Sequence, residues 1–280
     1  MEIRINGAAA DIQLETEKTV GQVLSALEAW LEGSGHRLSG LAVDGAVVAA
    51  GDVEACFALG VEGIGVLDLR ASPLAELLAE SILRASEALD EYEAAGFDEK
   101  ARIAASWIES PSARMLAEQG GDLFALAQKT FSGEGSGPRA LREVFQERLR
   151  EISDPAGELG RAGDLVADVC ERLERLPLDL QTGMDSRAAE TAGIFSGLAG
   201  KVFRLYDLLR AAGHPVAAIK IGDTQVADYV ADFHAMLNDL LAAYERQDTV
   251  LVGDIAEYEM APRLRDFYGA VLAAAGGIRA

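Results

Sequence analysis

Apolar and polar positions change period several times over residues 2–70 and then settle into helical spacing for the rest of the chain. Glu2-Ile-Arg-Ile5 alternates as a half-buried strand does, Asn6-Gly7 is a turn signal, and Asp11-Ile-Gln-Leu-Glu15 alternates again, which predicts a hairpin. Thr19-Val-Gly-Gln22 matches a capping box, in which Thr19 accepts from the third helical N–H while Gln22 reaches back. Val20, Val23, Leu24, Leu27, Trp30 and Leu31 then recur at helical spacing, so a helix is predicted over about 20–32. Asp44-Gly45 lies between two short apolar runs, the pair a type I′ hairpin turn takes because both positions need positive φ. A short helical turn is expected between Asp52 and Gly60, and a closing strand over 65–70.

Behind this segment the pattern is helical throughout. Ser72-Pro73 reads as N-cap and first helical position, followed by a stripe of Leu74, Leu77, Leu78, Ile82, Ala85, Leu89 and Tyr92 that Gly96 stops. Asp98, Ser110-Pro111 and Asp122 open further short helices, and "SGEGSGP" at 132–138 reads as an exposed loop. Leu159 to Leu176 steps by three and four until Pro177, where the pattern is expected to end. Thr191, Phe195, Leu198, Val202, Leu205 and Leu209 form a heptad seam, and Gly193, Gly197 and Gly200 beside it predict close approach of a neighbouring helix. Gly213-His214-Pro215 stops that helix. The next, starting near Asp223-Thr224, carries Val226, Val230, Phe233, Leu237, Leu240 and Tyr244 on one face. Asp248-Thr249 follows almost at once, which predicts antiparallel neighbours, with Leu251, Ile255 and Tyr258 as the packing stripe before Pro262 kinks or divides the last helix.

The order strand, hairpin strand, helix, hairpin, closing strand resembles the ubiquitin-like β-grasp fold over about the first quarter of the chain. The resemblance implies a compact module that offers its sheet face to a partner. The sulfur-carrier members of that superfamily act through a terminal Gly-Gly, and here Arg70-Ala-Ser-Pro73 runs straight on, while Gly276-Gly277 is followed by Ile278-Arg-Ala280. The expected class is α+β: a small β-grasp-like domain over 1–71, then an all-α helical bundle over 72–280, with possible sub-units 72–153 and 154–280.

A formal charge of -21 and a sequence pI near 4.5 set phosphate backbones and anionic membranes against most of the surface, so nucleic acid is not expected as a partner. The two cysteines, Cys56 and Cys170, are far apart and on apolar faces, which fits reducing cytoplasm and excludes a disulfide framework. No run of about 18 uncharged apolar residues is present, so membrane insertion is not expected.

The stretch "QDTVLVGDIAEYEMAPRL" at 247–264 concentrates Asp248, Asp254, Glu257 and Glu259. Asp248 reads as an N-cap and Glu259 as a surface partner of Arg263 four residues on. Asp254 and Glu257 share a flank, but the four carboxylates cannot converge on one point. None of the three histidines follows a glutamate by three, as a di-iron bundle needs, and the Walker loop, dinucleotide fingerprint, His-Glu-x-x-His and nucleophile elbow are absent. Thr182 and Asp185 fit a capping pair, whereas Gln181 and Met184 have no capping duty and read, with Asp254 and Glu257, as an interaction surface. No catalytic, cofactor or metal residue is assigned. The leading expectation is a non-catalytic cytoplasmic scaffold or adaptor. Its partner is another protein with a basic or apolar helical surface, bound on the sheet, on a bundle groove or on both; homo-oligomerisation stays open. The alternatives are an acidic helical chaperone for an assembly or export subunit, and an enzyme with an interdomain acid–base site at Asp254 and Glu257.

Overall fold

A computed structural model of the chain describes residues 1–12 and 16–276. The chain divides into two compact units, Met1–Arg148 and Leu149–Ala280. It is an α+β protein, with a small mixed sheet followed by helices.

Unit 1 begins with β1 (Glu2–Ile5), β2 (Ala8–Ala9), α1 (Val20–Gly33), β3 (His36–Val43), β4 (Ala46–Val47), the short α2 (Val53–Phe57) and β5 (Val66–Pro73). The strands form one sheet in the order β2-β1-β5-β3-β4, with β1 and β5 parallel and the other neighbours antiparallel. Both hairpin turns hold paired left-handed residues, Asn6 (φ 51) with Gly7 (φ 79) and Asp44 (φ 49) with Gly45 (φ 84). The first hairpin is shorter than the alternation predicts: Ala8 and Ala9 pair with Ile5 and Arg4, and Gln13–Glu15 of the expected strand lie outside the described residues. The Thr19–Gln22 capping box forms as read. Ile3, Leu67 and Leu69 on one sheet face pack with Val20, Val23, Leu24 and Leu27 of α1. Trp30, assigned by spacing to that stripe, is exposed. The opposite sheet face carries Glu2, Arg4, Asp68 and Arg70, with an Arg4–Glu2 ion pair at 2.8 Å.

Helices α3 (Leu74–Ala94), α4 (Phe97–Ile108), α5 (Pro111–Gln119), α6 (Gly121–Phe131) and α7 (Pro138–Ser153) follow. Ser72-Pro73 does not open α3 as N-cap and first turn. Pairing with β3 continues through His36↔Pro73, the Ser72 hydroxyl meets that of Ser39 at 2.7 Å, and α3 starts at Leu74 with no linker. Ser110 does cap α5, accepting from Ala113 N–H at 3.1 Å. Trp107 packs on Phe124 and Phe131, and Tyr92 meets Phe131 edge-on, which ties α3, α4 and α6 together. Arg142 of α7 bridges Asp90 and Glu93 of α3. The division between units falls inside α7, which ends at Ser153.

Unit 2 holds α8 (Pro155–Arg161), α9 (Gly163–Gln181), α10 (Asp185–Ala211), a two-stranded ribbon of β6 (Lys220–Ile221) and β7 (Thr224–Gln225), α11 (Val226–Glu245), α12 (Thr249–Ile255), a π-helical turn at Ala256–Met260, and α13 (Ala261–Gly276). The heptad seam of α10 is buried as read, around Phe195, Leu198, Val202, Leu205 and Leu209. Three expectations are corrected here. Pro177 lies inside α9, which runs on to Gln181; Gly253 of α12 packs against the ring, where an added Cβ would stand 3.1 Å from the proline. Gly193 and Gly197 have nothing within 4 Å of where a Cβ would be, and Gly200 meets only the Arg204 side chain of its own helix, so no helix crosses there. Thr182 and Asp185 do not form a capping pair, because the Thr182 hydroxyl donates back to the Leu178 carbonyl at 2.7 Å and α10 starts without a side-chain cap.

Buried charge is concentrated between α7, α8 and α10. The Glu151 carboxylate receives Arg204 at 3.1 Å, and Glu158 receives Lys201 at 3.0 Å and Arg161 at 2.9 Å. Burial alone raises the Glu158 pKa, yet the hydrogen bonds and charges of Lys201 and Arg161 outweigh it and hold the carboxyl below its ordinary range. Cys56 and Cys170 are buried free thiols, and burial pushes both pKa values up.

Candidate interaction surface

Four helix ends meet at one end of unit 2. Residues 182–184 turn α9 into α10, and residues 246–248 turn α11 into α12. The last rod lies antiparallel to α9: Gly253 rests on Pro177, the Cys170 thiol donates to the Ala261 carbonyl at 3.4 Å, and the Tyr268 hydroxyl to the Leu159 carbonyl at 3.0 Å. The first residues of α12 therefore stand beside the last residues of α9, and the two turns are neighbours. Both close in the same way. Met184 N–H donates to Asp179 O at 2.8 Å and Asp248 N–H to Ala243 O at 3.0 Å, across a left-handed Gly183 (φ 73) and Gln247 (φ 56). These are Schellman closures, which satisfy the carbonyls that helix C-termini otherwise leave open. Asp248 caps α12, accepting from Leu251 N–H at 3.1 Å, as its position predicts.

The closures engage the N–H groups of Gly183, Met184, Gln247 and Asp248, and large apolar side chains are exposed around them. Leu178, Met184, Leu241, Tyr244, Val250 and Leu251 are between 37% and 72% exposed. Single exposed apolar residues need no explanation, but six at one end of a bundle make it a candidate contact surface. The sequence pattern assigns Tyr244 and Leu251 to packing stripes. Both do continue the buried spacing, but the stripes run past the end of the core, and periodicity carries no information about where a core stops. Leu178 is hidden from sequence reasoning by Pro177, which reads as a terminator.

Of the residues singled out by sequence, Gln181 and Met184 lie at this end, both exposed, with Arg187 reaching the Met184 sulfur at 3.4 Å. Asp254 and Glu257 stand on the outer face of α12 and the π turn, beside Val250 and the exposed Tyr258. The structure therefore brings the first pair onto the apolar end and the second onto its flank. The stripe Leu251, Ile255, Tyr258 is corrected: Ile255 is buried with Val252, Gly253 and Ala256, whereas Leu251 and Tyr258 face outward. The Glu257 carboxylate, as hydrogen-bond acceptor and then as a charge, pushes the Tyr258 phenol up. Glu259 reaches Arg263 at 4.0 Å, the expected surface pair.

Two other surfaces compare poorly. The outer sheet face is charged. A groove of about 680 Å³ along α3, from Leu77 to Glu91, has Ile103, Trp107 and Met115 opposite, but its rim mixes Glu80, Arg84, Glu91, Glu99 and Arg102 and so presents no single sign of charge. Among the described residues, no helix is long and apolar enough to cross a membrane.

Comparison with known proteins finds two matched stretches. The model of the TP0873 N-terminal domain matches residues 1–73, which end with β5, and the model of a domain of unknown function (DUF8042) matches residues 159–269. An uncharacterized protein of Treponema pallidum (strain Nichols) is 24% identical over 272 residues, covering 97% of this chain and 96% of that protein. No solved structure matches the chain. The four helix ends and the α12 flank all fall inside the second matched block.

Proposed function

We propose that the protein is a non-catalytic cytoplasmic scaffold or adaptor that binds another protein through the apolar end of unit 2. One observation carries the reading: six large apolar side chains, Leu178, Met184, Leu241, Tyr244, Val250 and Leu251, are exposed on the helices and turn at one end of unit 2. Such a patch, rimmed by polar residues, is the usual footprint of a protein contact. Asp254 and Glu257 stand on open surface around Tyr258, which favours a rim role over acid–base chemistry. The sheet order, with a helix on one face, supports reading residues 2–73 as a β-grasp module, and its charged outer face would serve a second, more polar contact.

Site-directed photo-cross-linking in the cells that make the protein tests the reading. A benzophenone amino acid at Val250 should yield one discrete heterologous adduct, which Tyr244→Asp abolishes and which is missing when the probe sits at Glu134, in an exposed loop of unit 1. No adduct at Val250, or equal adducts at both positions, would overturn it. A chaperone for an assembly subunit is the second reading that the exposed apolar end favours. It requires the cross-linked partner to become insoluble when this gene is deleted, whereas a scaffold leaves the partner soluble.

A further inference from the structure

We infer that the apolar end of unit 2 takes a cationic amphipathic α-helix of its partner; this rests on the function proposed above. The sign of charge comes first. Residues 178–188 and 239–259 carry eight carboxylates (Asp179, Asp185, Asp239, Glu245, Asp248, Asp254, Glu257, Glu259) and two guanidinium groups (Arg187, Arg246). Both cations are engaged within the fold: Arg187 lies 3.5 Å from the buried Asp179, and Arg246 Nε donates to the Ala242 carbonyl at 2.9 Å. Among the described residues, Asp239, Glu245 and Asp254 form no ion pair, so the carboxylates around the patch are left to an incoming cation. Charge complementarity of this kind steers encounter and rejects wrong partners.

The same arithmetic disfavours a second copy of the chain. A two-fold contact sets a surface against itself, so Asp239, Glu245 and Asp254, which form no ion pair among the described residues, would be set against their own copies.

The conformation of the occupant follows from the backbone. An extended segment must find donors and acceptors for its own peptide groups, as strands do at a sheet edge. Here the N–H groups of Gly183, Met184, Gln247 and Asp248 are already used in the Schellman turns, and among the described residues no strand borders the end. A helix satisfies its backbone internally and needs only an apolar stripe for Leu178, Tyr244, Val250 and Leu251, with Lys or Arg on its flanks for Glu245, Asp254 and Glu257.

The probe is a fluorescein-labelled 18-residue Leu/Lys amphipathic peptide, titrated against the full-length protein by anisotropy. Two controls are a Leu/Lys peptide of identical composition scrambled to remove the apolar face, and a Leu/Glu amphipathic peptide. The amphipathic cationic peptide should bind at least tenfold more tightly than either control. Leu251→Asp, an exposed substitution whose circular dichroism should match the parent, should weaken binding at least tenfold; Asp254→Lys with Glu257→Lys should weaken it and flatten its salt dependence. Equal binding of the scrambled peptide, or affinity unchanged by Leu251→Asp, means general acidic attraction and overturns the inference. So does a concentration-dependent dimer abolished by Leu251→Asp. If the Val250 cross-link forms while the cationic helix fails to bind, the contact surface stands and the helical cationic occupant alone is wrong.

Discussion

Gln247 closes α11 with φ 56, a left-handed conformation that costs a side-chain-bearing residue roughly 1 kcal/mol and glycine almost nothing. Gly183 does the same duty at the neighbouring turn without that cost. Gln247→Gly should therefore stabilise the protein by about 0.5 kcal/mol, after glycine's larger loss of chain entropy, and Gln247→Val should destabilise it by about 1 kcal/mol; urea unfolding measures both. Glu158 is the more consequential residue. Its side chain is 6% exposed and is held by Lys201 and Arg161, so Glu158→Gln leaves a buried cation under-compensated at a cost of about 3 kcal/mol at neutral pH. Because the folded carboxyl titrates below its unfolded value, its stabilisation is complete above the ordinary glutamate pKa and is lost as pH falls through the folded one. The gap between wild type and Glu158→Gln should accordingly narrow on acidification, and a gap that is constant with pH would show that the charge is not what Lys201 and Arg161 hold.

The last rod carries the clearest lesson at the scale of an element. At about 100° per residue, the buried positions before the π turn (Val252, Gly253, Ile255, Ala256) and those after it (Met260, Ala261, Leu264, Phe267, Val271) point about 100° apart on a straight α-helix. The π turn, with Ala261 N–H donating to Ala256 O, takes in one extra residue and brings the two stripes onto one face. The sequence reading assigns the irregularity to Pro262 alone, although the phase slip is present in the apolar spacing itself. Deleting Glu257 should thus be tolerated, with loss of less than about 1 kcal/mol, because a regular α-helix then aligns both stripes. Deleting the exposed Gly269 turns Val271 and Ala275 outward and should cost about 3 kcal/mol or more, read by thermal unfolding. Elsewhere the elements were legible wherever a local signal acted alone: the capping box at Thr19, Ser110-Pro111, Asp44-Gly45 and the seam of α10. They were illegible where a long-range neighbour decided the outcome. Pro177 is carried inside α9 with Gly253 seated on it, and Ser72 stays in a strand because β3 pairs with it. The open face at Gly193 and Gly197 is a case in which the structure supplies no neighbour to account for the glycines.

At the scale of the whole chain, the sequence reading places divisions at 71/72 and possibly 153/154, whereas the compact units divide at 148/149. The Gly/Ser-rich run at 132–138 is a surface loop within unit 1, whereas the division falls in the middle of α7, where the apolar pattern is unbroken. Ion pairs explain how one rod serves both units. Arg142 and Arg148 in its first half meet Asp90, Glu93 and Asp122, and Glu151 in its second half meets Lys201 and Arg204. The candidate surface was half legible for the same reason: Gln181, Met184, Asp254 and Glu257 stood out as residues without local duties, while Tyr244 and Leu251 passed as core. Two compact units predict two unfolding transitions in calorimetry. Leu116→Ala removes a fully buried side chain from unit 1 and Leu173→Ala one from unit 2, each at about 3 kcal/mol. Leu116→Ala should lower one transition and Leu173→Ala the other, each leaving its counterpart within a degree or two. If either substitution moves both transitions together, α7 couples the cores into one cooperative body, and substitutions at the apolar end of unit 2 would then report on the fold of unit 1 as well.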